Sequence, residues 1–373
     1  MKQQRVGIIG STGRGNYGHG LDTAFSKVES AKIVAVADDN ASGRTQAGKR
    51  LKVERLYADY RAMLDREQLD IVCVGPRWIT DRQAMVEAAA GSGCHVYCEK
   101  PFAAELTAAD AMQTAIQAAG VKLQMAHQWR AMRPVQQAIR DVRAGKYGRL
   151  LRVRARPKDD RRGGGEELLV HGTHLFDMML AFAGPPTWVS AHVATDGRDI
   201  TRQDRREGSE PTGPIAGDSI SATIGFENGV RGYFESTANL SPGPDRRFAE
   251  LYGLFLECEH AALMLRQPGD VFVYPAPRVL PDLEELTWKK QWIEDWHFTP
   301  DHKPRPLRRE WLHLGNHTLA TDLVDSIAQQ RDPFSPITHA VFITEIVQGV
   351  YASHLDGGRR LSIPLQKREH PLT

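Results

Sequence analysis

The stretch Arg5-Val6-Gly7-Ile8-Ile9-Gly10-Ser11-Thr12-Gly13-Arg14-Gly15-Asn16-Tyr17-Gly18 decides the fold. Its apolar run reads as a buried parallel strand, its glycines as a turn, and the residues beyond as a helix. Such glycines let the backbone approach a dinucleotide's pyrophosphate, and a helix N-terminus adds free N–H groups and a positive dipole end. Gly13-x-Gly15-x-x-Gly18 fits the literal pattern, but Gly10 is the residue that ends the strand. The tight turn is therefore placed at Gly10 and the phosphate approach around Thr12 to Gly15. Gly10, Ser11, Thr12, Gly13, Arg14, Gly15 and Asn16 become candidate cofactor ligands.

Outward from this stretch, strands and helices alternate. Lys32–Ala37 is the next strand, and it ends in Asp38-Asp39. An acid there can accept hydrogen bonds from both ribose hydroxyls, which favours NAD, while the nearby Arg44 leaves NADP open. Leu69–Val74 reads as a strand covered on both faces and stops at Gly75-Pro76, where the chain turns over the sheet edge. A helix over 81–90 leads to the strand His95–Cys98, which ends in Glu99-Lys100-Pro101. A helix from Leu106 to Ala119 and a strand from Val121 to Ala126 follow. This repeat predicts a doubly wound parallel sheet over residues 1–128.

Beyond it the period changes. Leu150–Arg156 alternates apolar and basic residues, as a strand with one open face does. Thr187–Thr195, Ser219–Phe226, Val230–Ser236 and Phe248–Leu256 alternate likewise. Glu227-Asn228-Gly229 between two of these is a hairpin signal. Residues 129–373 thus form an α+β domain with a largely antiparallel, open-faced sheet. Segments 197–217 and 267–309 read as insertions, the second with Trp288, Trp292 and Trp296, and two helices close the chain.

Composition narrows the function class. A 41% hydrophobic and 25% charged chain is ordinary globular material, and a net charge of +2 argues against nucleic-acid or membrane partners. No apolar run approaches the ~18 residues of a membrane span, and Met1–Arg5 leads straight into a core strand, so no leader is expected. Cys73, Cys94, Cys98 and Cys258 sit mostly in strand-like runs, which suggests reduced thiols in a cytoplasmic enzyme.

Three groups of residues could do chemistry. Lys100 sits at a parallel strand's carboxyl end, where it can hold a substrate oxygen and stabilise charge on it; Glu99 can tune its ammonium. Leu168-Leu169-Val170-His171-Gly172-Thr173-His174-Leu175-Phe176-Asp177 enters an amphipathic helix with His174 and Asp177 on one face, suited to general acid–base work; His171 lies one turn earlier. Two histidines beside an acid also suggest a metal, but no third ligand has convincing spacing, so none is expected. His127-Gln128-Trp129-Arg130 closes the first domain, with Trp129 able to pack on a ring and Arg130 able to bind a hydroxylated or anionic substrate. Core packing is an equal reading of Trp129.

Together these elements resemble the Gfo/Idh/MocA family of NAD(P)-dependent oxidoreductases. The resemblance rests on Val6–Gly10, Ala35–Asp38, Cys98-Glu99-Lys100-Pro101, Gly163-Gly164-Gly165 through His174 and Asp177, and Asp322–Ile327. It implies a Rossmann domain followed by an open-faced sheet that supports a dimer or tetramer, and sugar or cyclitol substrates. It also implies catalysis by Lys100 and His174, with Gly75, Pro76 and Glu99 near the cofactor and Trp129, Arg130, His171 and Asp177 near the substrate. Two departures stand out. Val170 replaces the first Asp of the family's D-x-G-x-H-x-x-D, and Pro76-Arg77-Trp78-Ile79-Thr80 replaces Pro-Asn-x-x-His. The expected reaction is oxidation of a secondary alcohol by NAD. The alternatives are a glycosidase that oxidises its sugar transiently and a cofactor-binding sensor without activity.

Overall fold

The computed structural model describes residues 3–240, 252–267, 269–275 and 287–373. The chain forms two units. The first comprises Met1–Ala131, Ser209–Gly213 and Leu312–Thr344; the second comprises Met132–Gly208, Pro214–Trp311 and Glu345–Thr373. The change of period near residue 128 thus marks only the first crossing, because two later segments return to the first unit.

The first unit holds six strands: β1 (Gln4–Ile9), β2 (Ala31–Ala37), β3 (Arg55–Tyr57), β4 (Ile71–Val74), β5 (His95–Cys98) and β6 (Leu123–Met125). Their order is β3-β2-β1-β4-β5-β6, with every neighbouring pair parallel. Ile71 through Val74 are fully buried, as the continuous apolar run requires of a strand covered on both faces. The helices α1 (Ala41–Leu51), α2 (Tyr60–Arg66), α3 (Arg82–Gly91) and α4 (Leu106–Ala118) alternate with the strands. Asn40 caps α1 by accepting from Gly43 N at 2.9 Å, and Asp59 caps α2 by accepting from Arg61 N at 2.9 Å. Sequence order reverses between β1 and β4, which places a ligand-binding crevice at the carboxyl ends of these strands.

The helix expected after the glycine loop is absent. The chain forms only a 3₁₀ turn at Leu21–Thr23, continued by i→i+3 bonds from Ala24, Ser26 and Val28. Gly13, Gly15, Gly18 and Gly20 all have positive φ, which interrupts any α-helix before it can begin.

In the second unit come α5 (Arg133–Arg143), β7 (Leu150–Arg156), α6 (Gly165–Val170), α7 (Gly172–Ala183), β8 (Pro186–Thr195), β9 (Arg198–Asp199), β10 (Arg206–Glu207) and β11 (Pro214–Ile215). Then follow β12 (Ser219–Phe226), β13 (Arg231–Thr237), β14 (Gly253–Cys258), β15 (Ala261–Arg266), β16 (Asp270–Pro275), β17 (Lys289–Lys290) and α8 (Glu294–His297). Helices α9 (Leu307–Ala328) and α10 (Ile337–Leu355) and the short β18 (Leu361–Ser362) end the chain. The large sheet runs β17-β16-β15-β14-β7-β13-β12-β8-β18, and β7–β13 is its parallel pair. Gly229, at φ 76°, closes the β12–β13 hairpin that Asn-Gly foretold. Val153 and Ala155 of β7 are buried while Arg152 and Arg154 are exposed, so the alternation marks one open face.

Three expectations change here. The segment from Leu168 onward is two helices broken at His171, and α7 is buried on every side rather than amphipathic. The strand expected over Phe248–Leu256 begins at Gly253, and residues 248–251 lie outside the described residues. The second insertion contributes β16, a sheet strand paired with β15 from Ala261 to Arg266.

Ile8 lies at 0% exposure in the core cluster shared by β1, β2 and the α9 residues Leu319 and Leu323. Ile8→Ala should cost about 2–5 kcal/mol, read as a lowered denaturation midpoint. An unchanged midpoint would contradict this packing.

Candidate active site

At the carboxyl end of β1, the glycine loop folds on itself. Ser11 N donates to Asn16 O at 3.0 Å and Asn16 N to Ser11 O at 2.9 Å, while Gly13 N donates to the Asn16 Oδ1 at 3.0 Å. At Gly15, with φ 88°, an added Cβ would lie 2.5 Å from the backbone nitrogens of Arg77 and Trp78. The loop therefore packs directly on the turn after β4, and Arg77 N donates to Gly15 O at 3.2 Å. Gly75 N likewise bonds Ile9 O at 3.0 Å, which puts Gly75 and Pro76 beside the loop.

Asp38 is 2% exposed and spends its carboxylate on the protein. It accepts from Thr12 Oγ1 at 2.6 Å, from Thr12 N at 3.2 Å and from Asn40 N at 3.0 Å. Burial first, and then the nearby Asp38 carboxylate, push the Tyr17 phenol far above its ordinary range. The exposed acid on the rim is Asp39, which pairs with Arg14. Arg44 donates to the Asp38 carbonyl at 2.5 Å. Arg14 and Arg44 are thus both engaged beside the strand end, and two acids end β2. Ser11, Arg14, Asp38, Asp39, Tyr60 and Arg61 help line a cleft of about 280 Å³ here. A loop whose glycine admits no Cβ, a cleft and a terminal acid pair together fit a dinucleotide, NAD rather than NADP.

Lys100 follows β5 and is 7% exposed. Glu99, fully buried, lies under the loop with its Oε1 2.5 Å from His19 Nδ1. Burial alone would raise the Glu99 pKa, but His19, Lys100 and Arg82 together outweigh it and hold the carboxyl below its usual range. Arg82, at 2% exposure, donates to the carbonyls of Glu99 and Pro101 on either side of Lys100, and to Pro76 O at 2.5 Å. From α9, Asn316 donates to His19 O at 2.9 Å and accepts from Tyr97 and Gln128 at 2.8 and 2.9 Å. Arg82, His19 and Asn316 escaped the sequence reading, because their partners are distant in the chain and no local pattern announces them.

Trp129 is buried at 1% exposure, and Arg130 donates to His339 Nδ1 at 2.9 Å. Arg77 pairs with Glu210 at 3.1 Å, which anchors segment 209–213 on the first unit.

In the second unit, His174 and Asp177 lie on the first turns of α7, 8% and 0% exposed. His171 sits at the α6–α7 break with its Nδ1 2.5 Å from Glu167 Oε2. Burial raises the Glu167 carboxyl to about 7. Among the described residues, no group of three His, Cys, Asp or Glu is arranged to hold a metal ion.

A family model described as "Oxidoreductase family, NAD-binding Rossmann fold" matches residues 4–127, and "GFO/IDH/MocA C-terminal domain" matches residues 135–253. D-apiose dehydrogenase of Paraburkholderia graminis is 38% identical over 125 residues, covering 34% of this chain and 33% of that protein. Levoglucosan dehydrogenase of Pseudarthrobacter phenanthrenivorans is 25% identical over 229 residues, covering 55% of this chain and 58% of that protein. The chain thus spans about a third to somewhat over half the length of these two relatives. A crystal structure of levoglucosan dehydrogenase with NADH and levoglucosan shares the fold at a TM-score of 0.76, with 18% identity over 97% of this chain and 100% of that one.

Two measurements probe the site. Glu99 has a depressed folded pKa, so its contribution to stability is present above its unfolded value of ~4.3 and is lost as pH falls through the folded value. Glu99→Gln should lower stability at neutral pH and flatten its fall in acid; an unaltered acid limb contradicts the assignment. Asp39→Ser frees Arg14 and should raise the affinity for NADP relative to NAD several-fold in a fluorescence titration. An unchanged ratio would remove the Arg14–Asp39 pair from cofactor selection.

Proposed function

The chain belongs to the Gfo/Idh/MocA oxidoreductase family, and on that footing we propose that it oxidises a secondary alcohol of a sugar, glycoside or cyclitol with NAD. The observation that carries this reading is Lys100, held at a parallel strand's carboxyl end between the two carbonyls that Arg82 grips. Bound NAD supplies the hydride acceptor. Lys100 orients the substrate hydroxyl and stabilises negative charge on its oxygen as the C–H bond is lost. His174 takes the hydroxyl proton, and Asp177 and His171 bind neighbouring hydroxyls. Gly10 to Asn16, with Gly75 and Pro76, hold the cofactor, and Glu99 keeps the Lys100 ammonium in place. Trp129 and Arg130 support the substrate side of β6 from within the core.

Dehydrogenase names among the relatives support net oxidation over a glycosidase that returns its hydride. The open face of the second sheet, where Arg152 and Arg154 meet Glu257 at 3.3 and 3.2 Å, supports a homo-oligomer, a dimer or tetramer. Four buried cysteines support a reducing, cytoplasmic setting, and among the described residues no helix is long and apolar enough to cross a membrane.

The test is NADH formation across a panel of sugars, anhydrosugars and inositols. Lys100→Ala should lower kcat by ~10²-fold or more while NAD still binds. Full activity in this variant, or no NADH from any polyol with the wild-type protein, would overturn the reading.

A further inference from the structure

Val170 removes a carboxylate from the α6–α7 junction, yet a carboxylate is present one turn earlier. Glu167 is fully buried, and its Oε2 lies 2.5 Å from His171 Nδ1 across an i,i+4 step of α6. Its Oε1 has no hydrogen-bond partner among the described residues. The Tyr252 ring meets the imidazole edge-on at 5.4 Å, and the His171 side chain keeps 13% of its surface open. A buried acid clamped to a partly open imidazole is costly unless it does something, because desolvation penalises the carboxylate.

We propose that Glu167 is a positioning residue for His171: it accepts the Nδ1–H and so leaves the Nε2 lone pair as a fixed acceptor for a polyol hydroxyl. This rests on the function proposed above and names the substrate feature recognised, a hydroxyl donor beside the reacting carbinol. His171 thereby supplies, through an imidazole, the acceptor that Val170 cannot.

The pair titrates as a unit. Burial raises the Glu167 carboxyl to about 7, and the charges around it act on the same proton. Arg162 and Lys158 favour the ionised carboxylate, while Asp160 opposes it. Arg162 is itself paired with Asp160 and flanked by Glu166, and Lys158 lies 5.5 Å over the Tyr252 ring. Once the pair is protonated on the imidazole, Nε2 becomes a donor and the acceptor is lost. Acid therefore weakens polyol binding, with KM rising as pH falls through the midpoint of the pair.

The experiment is histidine nitrogen NMR on the NAD-loaded full chain, with His171 assigned from H171Q. Wild-type protein above neutral pH should show the Nδ1–H tautomer, a readout that needs no turnover. In E167Q the His171 midpoint should fall by about one pH unit or more. KM for the best polyol of the panel should rise several-fold with kcat within about twofold, as loss of uniform binding requires. An Nε2–H tautomer in wild-type protein, or an unmoved midpoint in E167Q, overturns the inference even if NADH forms. Absence of NADH from every polyol overturns the proposed function instead, and leaves the tautomer result to be read on its own.

Discussion

Arg82 enters the core at the first residue of α3 and spreads its guanidinium over the carbonyls of Pro76, Glu99 and Pro101. A planar fork of donors can bind several carbonyls at fixed angles, which an ammonium cannot do. The turn after β4 and the strand end of β5 are thereby held in one geometry, with Lys100 between the gripped carbonyls. The glycine loop is tied to the same frame, through Gly15 against Arg77 and through His19 against Glu99. Remove the guanidinium, and three buried carbonyls lose a charged donor at once. The cofactor loop, the strand-end lysine and the buried glutamate all depend on this one cation.

The cofactor loop makes a different compromise from the one its glycines suggest. A helix N-terminus would present free N–H groups to a pyrophosphate. Here the loop bonds to itself through Ser11, Gly13 and Asn16, and the first helical turn is 3₁₀. Asp38 does the work of a scaffold, gathering Thr12 and Asn40, and leaves Asp39 on the rim. Discrimination between cofactors then falls to how the nearby arginines are occupied. Arg14 pairs with Asp39, Arg44 donates to a backbone carbonyl, and Arg61 lines the same cleft, so the acid at the strand end competes with a 2′-phosphate for Arg14.

Much of this was legible in the sequence where the signal is local. Continuous apolar runs gave β1 and β4, alternation gave the open face of β7, and Asn228-Gly229 gave a hairpin. The strand-end position of Lys100 follows from the βα repeat alone. What escaped is long-range. His19 and Glu99 lie 80 positions apart, and Asn316 reaches Tyr97 across 219, so no window along the chain contains both partners. The return of residues 312–344 to the first unit is hidden for the same reason. The break at His171 was hidden by a different cause, since Val170 and Gly172 lie inside a stretch whose apolar content suits one continuous helix.

The central claim is that the edge framed by Arg82 and carrying Lys100 serves hydride transfer from a carbinol carbon to NAD. It is tested most directly with a polyol that the protein turns over, deuterated at the oxidised carbon, and mass analysis of the reduced cofactor. The account predicts that the deuterium appears on the nicotinamide ring of NADH, with an equal amount of ketone formed. Unlabelled NADH, or deuterium released to water while the cofactor stays oxidised, would contradict it.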